Sequence, residues 1–230
     1  MSVISNFKRK DIFIIPFTML FPLMIICNNN CNALLAPDKS ALTTKFSLYE
    51  PIDLILSSGF LAFARQVGML NAVEDFNIPI KRLVGTSSGA LAASMFASGM
   101  TSNQVSYELQ SKRPIEYMSS VSPLSLTRGM FSLRRMTSHL RTLLPRDFSQ
   151  LDTPLAVGVY ERETRKYELV TEGDLCEAVT ASCAIPVIFQ PVKMGSSLYA
   201  DGGVIDRTGI EHWAEWKNCK ERERERERER

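Results

Sequence analysis

Two strand-then-helix alternations within about fifty residues constrain this chain more than any other feature. Asp53-Leu54-Ile55-Leu56-Ser57 is a short apolar run that reads as a buried strand and stops at Ser58-Gly59. Residues 62–75 follow with Phe63, Val67, Leu70 and Val73 at helical spacing. Residues 81–84 read as a second short strand, cut off by Gly85-Thr86-Ser87-Ser88-Gly89. Beyond it, residues 90–98 are rich in Ala and Met, the composition of a buried helix. A chain that repeats strand and helix in this way is expected to build a largely parallel sheet covered by helices.

The remainder continues in the same vein. Thr101 followed by Gln104 is a capping box that opens another helix through about residue 111. Leu133, Met136, Leu140, Leu143 and Leu144 form a helical stripe opposite Arg134, Arg135 and Arg141, and Pro145 ends it. That helix is suited to its own core or, through its basic face, to a membrane surface. Residues 155–160 and 167–171 read as a hairpin around a charged turn, residues 174–184 as a helix stopped before Pro186. Residues 197–200 read as a short strand running into Asp201-Gly202-Gly203. The last residues alternate Glu and Arg to Arg230, and this tail (220–230) is expected to be solvated and poorly ordered.

The N-terminus has a different character. Lys8, Arg9 and Lys10 precede an apolar run at 12–27 that is interrupted by Pro16 and Pro22. At 16 residues the run is shorter than the roughly 20 that span a bilayer, and basic-then-apolar is the pattern of a secretory signal. Residues 38–47, rich in Ser, Thr and Lys, suit the transit segment of the two-part presequences found in algae with complex plastids. A plain signal followed by a linker fits equally. Residues 1–46 are thus read as a targeting presequence that directs the chain into the secretory pathway, with a plastid as one destination.

Charge excludes little but is useful. Lys+Arg 27 against Asp+Glu 25 leaves +2, so no basic excess points to a nucleic-acid partner. Cys27 and Cys31 fall in the presequence, and Cys176, Cys183 and Cys219 lack the spacing of a zinc site or disulfide framework. Cys176 and Cys183, seven apart, are expected on one face of a helix. No metal or cofactor is expected.

Gly85-x-Ser87-x-Gly89 between strand and helix is the context of a nucleophile elbow. The bend lifts the hydroxyl clear of the sheet, and the helix that follows presents N–H groups to developing negative charge. Serine then needs a base. Only two histidines are present. His139, on the polar side of the Arg-rich helix, reads as solvated. His212, after Asp201, would complete a Ser87, Asp201, His212 triad in the α/β-hydrolase order. The other solution is direct use of a carboxylate, for which the tight turn Asp201-Gly202-Gly203 is suited, burial raising its pKa toward a useful range. Ser57-Ser58-Gly59-Phe60, after the first strand, is the candidate oxyanion segment.

Four blocks in order resemble the patatin-like phospholipase family: Leu56-Ser57-Ser58-Gly59-Phe60-Leu61-Ala62 with Gly68-Met69-Leu70, then Val84-Gly85-Thr86-Ser87-Ser88-Gly89-Ala90-Leu91, then Ala181-Ser182-Cys183-Ala184-Ile185-Pro186, then Asp201-Gly202-Gly203. The resemblance implies an α/β domain over residues 50–216, with a central, mostly parallel sheet flanked by helices in three layers. It implies a lipid acyl hydrolase acting on phospholipids, galactolipids or neutral acylglycerols through an acyl-enzyme on Ser87. The base would be Asp201, without histidine, and Ser57, Ser58 and Gly59 would form the oxyanion block. Gly85, Gly89, Gly202 and Gly203 would be motif glycines, and the partner a lipid or membrane surface. Ser57 and Ala62 stand where the family usually has glycine, and the pair Phe60-Leu61 is similar to the animal branch that cleaves neutral acylglycerols. The family's domain usually continues beyond the Asp block, so C-terminal truncation and a non-catalytic lipid-binding relative are further expectations.

Overall fold

In a computed structural model of the chain, residues 51–60, 62–121 and 129–228 are described, apart from the side chains at 221 and 223–225. Residues 1–46, read above as a presequence, and Leu61 lie outside the described residues.

The sheet runs in the order β1 (Ile52–Leu56), β2 (Ile80–Thr86), β5 (Leu155–Glu161), β8 (Ser197–Asp201), β7 (Val192–Met194), with β6 (Lys166–Val170) also on β5. β1, β2 and β5 are mutually parallel and form the core of the sheet. The β5–β6 and β7–β8 hairpins and the β5–β8 pairing are antiparallel. The sheet is therefore mixed around a parallel centre. β7 went unread in the sequence because Val192-Lys193-Met194 is too short to show alternation. β3 (Ser119–Ser120) and β4 (Phe131–Ser132) make a separate two-stranded ribbon.

Alternation along the central strands splits the core in two. Leu54, Leu56, Leu83, Leu155, Val157 and Val159 face one large cluster. On that side pack α1 (Phe63–Asp75), α2 (Ser88–Ala97), α3 (Ser102–Ser111), α4 (Arg134–Leu143) and α5 (Leu175–Ser182). Val84 and Ala156 face the other side and meet Trp213 of α6 (Ile210–Arg228). Three layers result, with α6 the one helix of the second face among the described residues. Asp53, 2% exposed, ties α6 down: it accepts from Trp213 Nε1 at 3.1 Å and pairs with Lys217 Nζ at 3.0 Å.

Local signals behave as their chemistry dictates. Thr101 and Gln104 close the capping box of α3. α2 is buried almost all round, and Ala90, Ala92, Ala93 and Ala97 keep its bulk small against β1 and β2. Three expectations are corrected. α6 continues as helix to Arg228, through much of the Glu-Arg tail read as poorly ordered. Glu and Arg are strong helix formers with attractive i,i+3 pairs, and Trp213, 1% exposed, anchors a helix already nucleated. Cys183 is the residue capping α5 rather than a member of one helical face with Cys176. His139 is half-buried, its ring 5.7 Å from Tyr117 and its Nδ1 3.1 Å from Lys112 Nζ, because α4 turns that flank toward the 114–117 segment.

Candidate active site

β5 acts as a ruler for the site. Thr86, the last residue of β2, pairs with Gly158. Asp201, the last residue of β8, pairs with Val159, the next position along the same edge. β2 and β8 share that edge because β6 occupies the opposite one, pairing with Gly158 and Val159 from the far side. Successive strand positions are separated by about 3.3 Å, so the bend leaving β2 and the end of β8 arrive together.

Ser87 makes that bend at φ 56°, ψ −121°, a left-handed conformation that throws its side chain off the sheet. The strain is held from several directions. Its N–H donates to Ser182 Oγ at 2.8 Å, and Ser182 Oγ donates to the Gly158 carbonyl at 2.6 Å. Its carbonyl accepts from Ala90 N–H at 2.9 Å and from Cys183 Sγ at 3.4 Å. The flanking glycines leave no room for substitution: a Cβ at Gly85 would stand 2.6 Å from Ala90 Cα, and one at Gly89 would land on the Leu56 carbonyl.

Asp201 is 3% exposed and Ser87 5% exposed. The carboxylate accepts from Gly203 N–H at 2.7 Å, while Asp201 N–H donates to the Ala184 carbonyl at 3.0 Å. Burial raises the Asp201 pKa above its ordinary 3.8; the neighbouring Ser87 hydroxyl and the Gly203 N–H partly oppose that rise. Gly202 lies against the Gly158 carbonyl, where a Cβ would come within 2.7 Å.

His212 is elsewhere. Its Nδ1 is 3.0 Å from Asp206 Oδ2, and its ring packs 4.4 Å from Tyr167. No hydrogen bond joins it to Ser87 or Asp201 among the described residues. Tyr167, whose hydroxyl is 2.9 Å from Thr86 Oγ1, is pushed up to about 12 by burial, so it stays a neutral phenol.

The oxyanion segment is only partly available. Ser58 N–H is committed to the Arg207 carbonyl at 2.7 Å, and the Ser57 carbonyl accepts from Gln66 Nε2 at 2.6 Å. Gly59 N–H and, at the start of α2, Ser88 N–H have no acceptor among the described residues. The Ser88 hydroxyl is also buried without a partner among the described residues. Burial raises the thiol pKa values of Cys183 and of Cys176, the latter to about 11, so neither of these two is a thiolate at neutral pH.

Above Ser87 and Ser88 opens a cavity of about 340 Å³. Its walls include Leu91 and Met95 of α2 and Met136 and Leu140 of α4, and Lys112 is the one charged residue in its lining among the described residues. The apolar stripe of α4 thus faces this cavity.

Ser182 lies in the third block of the resemblance, but its bridging role has no local signal, since its partners, in the bend at Ser87 and on β5 at Gly158, are far away in sequence. Ser182→Ala is expected to lower stability by about 2 kcal/mol, because it strands a buried N–H and a buried carbonyl. Thermal unfolding at neutral pH checks this.

Comparison with known proteins finds relatives over this part of the chain. The chain is 27% identical over 203 residues to the uncharacterised Bacillus subtilis protein YqhO, covering 75% of this chain and 68% of that one. It is 24% identical over 171 residues to an uncharacterised NTE family protein of Mycobacterium tuberculosis, covering 74% of this chain but 47% of the relative. It is 22% identical over 196 residues to a protein of invertebrate iridescent virus 6 named "Probable lipid hydrolase", covering 74% and 66%. The chain therefore spans about half the length of the mycobacterial relative and two thirds of the others. The pattern of the patatin-like phospholipase family matches residues 54–212, from β1 through the elbow and Asp201 into α6, and on that match the chain belongs to this family.

Proposed function

We propose that this chain is a serine lipid acyl hydrolase that works through a Ser87–Asp201 dyad. The observation that carries the reading is the shared β5 edge, which supports a direct approach of hydroxyl and carboxylate beneath an apolar cavity. Ser87 Oγ attacks the ester carbonyl as Asp201 takes its proton. The tetrahedral oxyanion collapses, the C–O bond to the alcohol breaks, and Asp201 returns the proton to the leaving oxygen. Water, deprotonated by the same carboxylate, then cleaves the acyl-enzyme and restores Ser87.

Gly59 N–H, Ser88 N–H and the α2 N-terminus are donors offered to the oxyanion, while Ser58 N–H is withdrawn from the Ser57–Gly59 block by the Arg207 carbonyl. The cavity suits an acyl chain, each buried methylene adding about 0.8 kcal/mol to binding. Family membership and the viral relative's name support lipid as the substrate class. Phospholipid, galactolipid and neutral acylglycerol all have the required ester.

The test is labelling by a fluorophosphonate, which reacts with an activated serine. The protein is expected to label, Ser87→Ala to lose the label, and His212→Ala to label at close to the parent rate. Labelling that survives Ser87→Ala would overturn the nucleophile assignment; loss in His212→Ala would overturn the dyad in favour of a triad.

A further inference from the structure

Phe60 and Val187 are bulky, apolar and exposed, and both are held at positive φ. Their φ angles are 44° and 73°, and they are 61% and 79% exposed. Left-handed backbone is unfavourable for any residue with a side chain and most of all for a β-branched one, and strain of this kind concentrates at working surfaces. Folding gains little from presenting both side chains to water.

Their location gives the presentation a purpose. Phe60 lines the cavity above Ser87, and Val187 lies between Ile185 and Phe189, which line it too. Met130, 47% exposed, donates its N–H to the Val187 carbonyl at 3.3 Å. Ile115, 62% exposed, stands beside Pro114 of the lining. Four separate segments thus bring exposed apolar side chains to the surroundings of one apolar opening.

Charge there is weighted toward cations. Residues 57–65, 129–135 and 185–193 contain no Asp or Glu, although the chain has 25 acids, and they carry Arg65, Arg134, Arg135 and Lys193. The segment around Ile115 adds Lys112 and Arg113 against Glu116, whose carboxylate accepts from the Arg113 N–H, and Glu108, which acts on Tyr117 of the lining.

We propose that these residues form a docking rim that seats the cavity mouth on an anionic lipid bilayer. Phe60, Ile115, Met130 and Val187 enter the boundary of the acyl layer, and the surrounding cations pair with lipid phosphates. A bilayer fits better than a protein partner because the apolar surface is continuous with the cavity, so a lipid's acyl chain passes from membrane to Ser87 without crossing water. The proposal rests on the lipid-hydrolase reading for the substrate that the mouth faces.

The experiment uses the full chain carrying Ser87→Ala, so that vesicles persist, sedimented with phosphatidylcholine vesicles with or without phosphatidylglycerol. Tighter binding to the anionic vesicles is expected, with Arg134→Gln plus Arg135→Gln removing that preference. Val187→Gly is expected to weaken vesicle affinity about tenfold while the unfolding temperature holds or rises, since glycine accepts the backbone angle. Unchanged vesicle affinity in Val187→Gly overturns the proposal. So does a loss of self-association without vesicles while vesicle binding holds, which would assign the rim to a second copy. Hydrolysis of a soluble short-chain ester by the chain with Ser87 intact, expected to be equal with and without Val187→Gly, separates the two readings. If neither protein cleaves it, the hydrolase reading falls and the vesicle result alone judges the rim.

Discussion

Asp201→Asn is expected to lower kcat for ester hydrolysis by about a thousandfold or more, with no loss of stability at neutral pH. The amide keeps the size of the carboxylate and an oxygen to accept from Gly203 N–H, but it cannot take the Ser87 proton. The stability half follows from the direction of the pKa shift. Burial raises the Asp201 pKa in the fold above 3.8. A carboxyl raised in this way disfavours the folded state once pH exceeds its unfolded value, and the penalty is fully present above the folded value. Asparagine removes that penalty, so the variant should melt at the parent's temperature or higher at pH 7 and lose this advantage below pH 3.8. The same shift sets the acid limb of the parent. Its kcat/KM is expected to fall, as pH is lowered, through a pKa above 3.8, the point at which the base becomes protonated. A pH–rate profile on a soluble ester, paired with thermal melts, measures both halves. An Asp201→Asn protein with near-parental kcat would remove the carboxylate from the mechanism.

Gly89→Ala is expected to destabilise by about 3 kcal/mol or more, enough to unfold much of a marginally stable population. The added Cβ meets the Leu56 carbonyl and stands 2.9 Å from the Ser57 carbonyl oxygen. Both belong to backbone rather than to the far end of a flexible side chain, and β1 is held in its ladder with β2. Neither neighbour can step aside without lifting α2 from the sheet. Gly68→Ala is the control: it lies within α1, and nothing lies within 4 Å of its added Cβ. There alanine should gain about 1 kcal/mol from helix propensity. Urea unfolding of the two variants gives opposite signs if close approach, rather than glycine content, is what matters.

The elbow could be read from the chain because its causes are local. A run of β-forming residues, a bend flanked by glycines and an Ala-rich helix all lie within residues 81–98, and the structure holds Ser87 at φ 56° between them. Asp201 could be singled out as a turn carboxylate, but the sequence left His212 as a rival base. The Asp206 contact draws His212 toward Tyr167, which no spacing rule indicates. The oxyanion segment shows the reverse: a motif singles it out, yet Ser58 N–H is consumed by the carbonyl of Arg207, a residue no motif connects with it. The Arg-rich helix offered two faces and two partners, and packing gave Met136 and Leu140 to the cavity.

What the chain determines by itself is whatever depends on neighbours within a turn or two: helix faces, the capping box at Thr101, the reversal at Ser87, and the alternation that makes the strands two-sided. What only the tertiary structure decides is register, namely which β5 residue faces the end of β2 and which faces the end of β8. Those pairings join residues far apart in sequence, and their free energy depends on the whole sheet closing at once. A shift of one position would turn every side chain of β8 to the opposite face and carry the carboxylate away from the hydroxyl.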